Sequence, residues 1–121
     1  AALDTAACAA AARDLLDRGV RRLVVLHAPE GACAATAEGA TLWQPAVAVP
    51  PTEIAGAAGA GDALAAGVLY GLHEDWPLPR ALELGVAVAA ASLRHPSCSD
   101  AVESADAAVE NTKDIGAFYN G

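Results

Sequence analysis

A chain of 121 residues carrying 15 acidic against 7 basic side chains, net charge −8, is long enough for one domain with a real core and too short to expect two. The acidic excess, with no Lys or Arg cluster beyond Arg21-Arg22, excludes a nucleic-acid binder, because such binding begins with neutralisation of backbone phosphates. Hydrophobic residues make up 55% of the chain, much of it alanine, yet the longest apolar run, Leu84 to Leu93, is too short to cross a bilayer and no leader peptide is expected.

Residues Thr5 to Arg18 are alanine-rich with Leu15 and Leu16 near the end, and Gly19 follows: a helix with a glycine stop, its start capped by Asp4 or Thr5. Arg21 to Leu26 contains Leu-Val-Val-Leu, the continuous apolar run expected of a buried parallel strand. After Pro29-Glu-Gly31, the segments Ala32 to Thr36 and Thr41 to Gln44 read as two short strands of a hairpin about Glu38-Gly39. Val47 to Val49 extends this as an edge strand ending at Pro50-Pro51. A helix is expected from Asp62 to Leu72, a loop from His73 to Pro79 and a second helix from Arg80 to Arg94. His95 to Asp100 breaks that helix, Ala101 to Val109 is weakly helical, and residues 111–121 form a loosely held tail. Helix, apolar strand and small-residue helices together predict an α/β layered core.

Cys8, Cys33 and Cys98 are odd in number, widely spaced and lack a C-x-x-C pair, which argues against a disulfide framework or a zinc site. They read as free thiols in a reducing cytoplasm, which sets the expected localisation. His27 stands alone, with no Ser, Cys or paired carboxylate at motif spacing, and reads as structural. Trp43 and Trp76 fall in different elements and read as packing residues.

The chemistry is concentrated in Gly56-Ala-Ala-Gly-Ala-Gly-Asp62, directly before an alanine-rich helix. Three glycines permit a tight turn, and the unpaired N–H groups and dipole of a helix start favour an anion such as phosphate. Gly56 and Gly61 have the spacing of a Walker loop, but Asp62 and Ala63 stand where Lys and Ser or Thr belong. The dinucleotide fingerprint also fails, since Leu64 occupies the place of its third glycine. A carboxylate beside an anion cradle can take a proton from an alcohol, the service that phosphoryl transfer to a hydroxyl requires. Asp62 could equally cap the helix and do nothing more.

The stretch Gly59-Ala-Gly-Asp-Ala-Leu-Ala-Ala-Gly67 resembles the G-A-G-D-x-x-x-x-G signature of the ribokinase-like, PfkB-type carbohydrate kinases. The resemblance covers about residues 5 to 110, with its specificity in 59 to 67. It implies the C-terminal part of a layered α/β sandwich with a mostly parallel sheet, residues 1–110 forming the nucleotide-binding and catalytic portion without the upstream sugar-binding half. It implies Asp62 as catalytic base, Gly59, Ala60 and Gly61 as the anion hole, and nucleotide contacts at Gly31 and at Gly85 in the helix that closes over adenine. ATP, with magnesium carried on it, and a small sugar are the implied partners; a homodimer is compatible with the resemblance.

The chain departs from the family pattern at two places. The T-L-G-x-x-G-like turn is Leu26-His-Ala-Pro-Glu-Gly31 here, keeping only the last glycine, and the Asp-Thr pair that helps hold a monovalent cation is replaced by Gly56 and Ala57. Potassium activation is therefore not expected, and no side chain is assigned to a metal. Two further readings stay open: a degenerate kinase-like domain that binds a nucleotide or partner without turnover, and a pyridoxal or hydroxymethylpyrimidine kinase of the same superfamily.

Overall fold

A computed structural model describes residues 4–56 and 59–94. The expectations for the loop at 96–99, the helix at 101–109 and the tail at 111–121 lie outside the described residues.

Helix α1 spans Thr5–Asp17, its start capped by the Asp4 carboxylate, which accepts from the N–H of Ala7 at 3.1 Å. Its chain leaves through Gly19, whose φ of 124° lies in the region that glycine tolerates and side chains avoid. Strands β1 (Leu23–Ala28), β2 (Gly31–Thr36) and β3 (Thr41–Pro45) form one sheet in the order β1-β2-β3, both pairings antiparallel. The Glu38-Gly39 hairpin is present: Thr36 N–H donates to Ala40 C=O at 2.9 Å, and Gly39 takes a φ of 102°. Arg13 donates from α1 to the Thr36 and Ala40 carbonyls, at 2.9 and 3.3 Å, and so pins the helix to that turn.

The expected parallel pairing of the 21–26 strand is not what the described residues show. β1 turns straight back through Pro29-Glu30 and pairs with β2 in the register Val25↔Ala34 and Leu26↔Cys33. The apolar run had another cause: both faces of the sheet are covered. Val24, Cys33 and Ala35 pack with Leu16 and Ala12 of α1, while Ala32 and Ala34 of β2, with Leu23 and Val25 alongside, pack on the opposite face. Two-sided burial selects continuous apolar sequence whichever way the neighbouring strand runs.

The second face is covered by α2 (Ala60–His73) and α3 (Leu78–Leu93), which contribute Leu64, Val68, Leu82 and Val86 to the core. α2 ends in a Schellman motif, with Trp76 N–H to Gly71 C=O at 2.9 Å and Asp75 N–H to Leu72 C=O at 3.1 Å. Asp75 takes the left-handed position, φ 57°, that glycine usually fills. Trp76 then packs edge-on to Tyr70, centroids 5.6 Å apart, and beneath Arg80 at 3.9 Å. The returning α3 can lie close because the seam is made of small residues: a Cβ on Gly67 would stand 2.9 Å from Gly85 Cα, and one on Gly71 would stand 2.7 Å from Ala81 Cβ.

Val47–Val49 is not a strand. Val47 makes a single bridge and is buried, and a 3-10 turn at Pro51–Glu53 follows after Pro50. Consecutive prolines lack the N–H groups that would extend the ladder. Among the described residues no helix is long and apolar enough to cross a membrane. Cys8 and Cys33, far apart in sequence, meet between α1 and β2 as free thiols. Burial first, then the neighbouring Cys8, pushes the Cys33 thiol up to about 11, so it stays protonated at neutral pH.

Candidate active site

The amino end of α2 is built by its glycines. Gly59 caps the helix in the left-handed conformation, φ 85° and ψ 0°, and its carbonyl accepts the first helical hydrogen bond, from Ala63 N–H at 2.9 Å. The N–H groups of Ala60, Gly61 and Asp62 thus precede the ladder and are the donors a helix start offers to an anion. The segment entering this turn is tied to the end of α3, where the Leu93 carbonyl accepts from Ala55 at 2.7 Å and Gly56 at 3.3 Å. That anchor brings the loop beside α3 and opens a cleft between them.

The cleft has a volume of about 690 Å³, within the usual range for a small-molecule site. One wall is the β1–β2 turn, His27 to Glu30; another is the extended chain from Ala46 to Val49 with Ile54; a third is Val86, Ala89, Ala90 and Leu93 of α3. Ala60 and Gly61 of α2 close the fourth side. The lining is mostly apolar, with His27 and Glu30 as its polar members beside the first residues of α2.

Three of the expected site residues meet here in sequence and space. Ala60 and Gly61 line the cleft, and Gly59 sets the turn that aims their amides. Asp62 lies in the first turn of α2, exposed, and is the third residue of the helix. It is not the cap, so the alternative that made Asp62 an ordinary N-cap is corrected: Gly59 holds that position without a side chain. Gly31 and Gly85 stand elsewhere. A Cβ on Gly31 would collide with the Gln44 carbonyl and come within 2.9 Å of the Trp43 ring, so that glycine serves the β2–β3 packing. Gly85 faces α2, where a Cβ would lie 2.7 Å from Val68 Cγ2, and its neighbour Val86 forms the cleft wall. Trp43 packs against the α1 side and Trp76 against Tyr70 and Arg80; neither lines the cleft.

His27 is the residue that sequence reasoning passed over. Its ring lies on the cleft, with Nδ1 3.6 Å from where a Cβ on Gly61 would be, and burial holds its pKa below the ordinary value. The available signal was strand alternation, since position 27 is in phase with Leu23 and Val25 on the α2 and α3 face. Leu26, which replaces the hydroxyl-bearing residue of the family turn, packs on the α1 side instead. Among the described residues no group of three or more His, Cys, Asp or Glu side chains could hold a metal ion.

A glycine-capped helix start with an aspartate in its first turn thus lies beside an apolar cleft walled by a second helix. The pfkB family carbohydrate kinase model matches residues 1–105, and the chain belongs to that family. It is similar to a 5-dehydro-2-deoxygluconokinase of Geobacillus kaustophilus, 40% identical over 91 residues that cover 75% of this chain and 26% of the relative. It is also similar to the ATP-dependent 6-phosphofructokinase isozyme 2 of Mycobacterium tuberculosis, 38% identical over 88 residues, 72% of this chain and 25% of the relative. Its fold is shared with a Staphylococcus aureus protein assigned as a phosphofructokinase, with a TM-score of 0.72 at 20% identity over 93% of this chain and 34% of that one. The chain thus spans about a quarter of the length of the curated relatives it matches.

Proposed function

We propose that this chain is the nucleotide-binding and catalytic portion, residues 1–110, of a kinase that moves the γ-phosphate of ATP to a sugar hydroxyl. The observation that carries the reading is the junction at the amino end of α2, where the first-turn amides, an exposed aspartate and an apolar cleft adjoin. Adenine fits the slot between Val47–Val49 and α3, which puts the phosphates towards Ala60 and Gly61. Asp62 takes the proton of the attacking hydroxyl, and the amides of residues 60–62 receive the charge that develops on the transferred group. Loss of one such donor in other enzymes costs about 3 to 4 kcal/mol of barrier, so the loop supplies a large share of catalysis. Magnesium arrives with the nucleotide and neutralises part of the phosphate charge.

The acceptor proposed first is 5-dehydro-2-deoxygluconate, after the relatives at 40% and 37% identity, with fructose 6-phosphate second. We place the sugar-binding half in the three quarters of the relatives' length that this chain does not span. In that assembly the three-stranded antiparallel sheet is one end of a larger, mostly parallel sheet, joined along the free edge of β1.

Gly61→Val tests the loop. Among the described residues a Cβ at Gly61 meets only His27 Nδ1, at 3.6 Å, so the fold accommodates a side chain there, and that side chain would crowd the proposed anion seat. In the full-length protein the variant should keep its melting temperature within a few degrees while the KM for ATP rises and kcat falls, each on the order of tenfold or more. Unchanged kinetics would reduce the loop to a turn and remove the observation on which the reading stands.

A further inference from the structure

Among the described residues the walls of the cleft contain no Lys or Arg, in a chain whose net charge is −8. A polyphosphate entering it faces the acidic residue Glu30 in the lining and Asp62 on the first turn of α2, while the described residues of the α3 wall and the Ala46–Val49 wall carry no charged group. Main-chain amides answer part of that repulsion. Among the described residues, the one basic side chain lining the cleft is His27, and it stands next to Gly61, beside those amides.

The backbone register says why it is there. Val24 and Leu26 point to α1, so Leu23, Val25 and His27 share the opposite face, and His27 pairs with Ala32 at the end of the ladder. A histidine at the last-but-one position of β1 therefore projects past the end of the core and over the helix start. The hydroxyl that the family turn carries one residue earlier would, at position 26 of this chain, be directed at α1. A polar group at 27 instead places a donor on the cleft side.

We propose that His27 is a phosphate-positioning residue, whose ring N–H donates to a non-transferred phosphate of the bound nucleotide beside the amides of Ala60 and Gly61. The inference rests on the nucleotide-kinase reading above and deepens it. A neutral imidazole donates one hydrogen bond, and an approaching phosphate favours the protonated ring, which donates from both nitrogens. His27 thus does at this site what a lysine or arginine does elsewhere.

The test is calorimetric titration of the full-length protein and its His27→Ala and His27→Asn variants with ADP and, separately, with adenosine. Asn places an amide N–H close to the position of Nδ1 and so retains a donor. His27→Ala should weaken ADP binding about 10-fold or more, the worth of a hydrogen bond to a charged group, and leave adenosine binding within about twofold. His27→Asn should recover most of the ADP affinity. Equal losses for ADP and adenosine, or an alanine variant that binds ADP as the wild type does, would overturn the assignment while leaving the kinase reading intact. Wild-type protein that binds neither ligand would overturn the kinase reading, and this inference with it. Should the alanine variant fail to fold, His27→Leu, which fills the space without a donor, decides by the same ratio: a selective loss for ADP supports the assignment and wild-type binding of both ligands overturns it.

Discussion

Asp62→Asn in the full-length protein is expected to lower kcat on the order of 10² to 10⁴-fold, the usual worth of a positioned general base, with little change in the KM for ATP. Asparagine keeps the shape of aspartate and loses only its ability to accept a proton. The structure makes the experiment cleaner than capping logic alone would. Gly59 caps α2, so the carboxylate is not needed to begin the helix, and its favourable interaction with the helix dipole contributes no more than about 1 kcal/mol. Turnover and stability should therefore separate by orders of magnitude. Steady-state kinetics and a melting curve on both proteins check this, and an asparagine variant that retains most of its kcat would take Asp62 out of the mechanism.

The largest effect on stability is expected at the α2–α3 seam. Gly67→Val places a branched side chain where even a single Cβ would lie 2.9 Å from Gly85 Cα, 3.1 Å from Gly85 N and 3.2 Å from the Leu84 carbonyl. All three are backbone atoms, so no rotamer change relieves the contact and the helices must separate. Overpacking of this kind costs about 3 kcal/mol, a large part of the stability of an ordinary domain. Valine for Ala65, exposed on the same helix, controls for the lower helix propensity of a β-branched residue, about 0.5 kcal/mol. Urea midpoints for the two variants should differ accordingly; a Gly67→Val protein as stable as Ala65→Val would contradict the close packing. Because α3 also supplies Val86, Ala89 and Ala90 to the cleft, the seam holds one wall of the site at its distance from the loop.

Local chemistry was legible and direction was not. Asp4 and Gly19 mark the ends of α1 through capping geometry that a few residues determine by themselves, and the Glu38-Gly39 turn is equally self-contained. The Gly59-Ala-Gly-Asp62 stretch announces a helix start, although the helix begins two residues before Asp62 because Gly59, not the aspartate, takes the capping position. Leu-Val-Val-Leu told of burial on two faces and was silent on whether the neighbour runs parallel or antiparallel, since pairing direction is decided by the Pro29-Glu30 turn. Glycine is the hardest residue to read. Gly61, Gly31 and Gly85 look alike in sequence, yet one borders a cleft, one admits the Trp43 ring and one admits a helix. Only the neighbours in space distinguish them. The same holds for His27 and for the Cys8–Cys33 contact, where tertiary packing joins residues that have no spacing signal.

If the junction of α2, α3 and the β1–β2 turn serves phosphoryl transfer to a sugar, the full-length protein incubated with γ-labelled ATP, magnesium and each of the two proposed acceptors should reveal it when both ADP and labelled sugar are followed. ADP formation should depend on one of the sugars, with label recovered on that sugar in equal amount. ATP that is consumed at the same rate with and without sugar, with the label appearing as free phosphate, would contradict it.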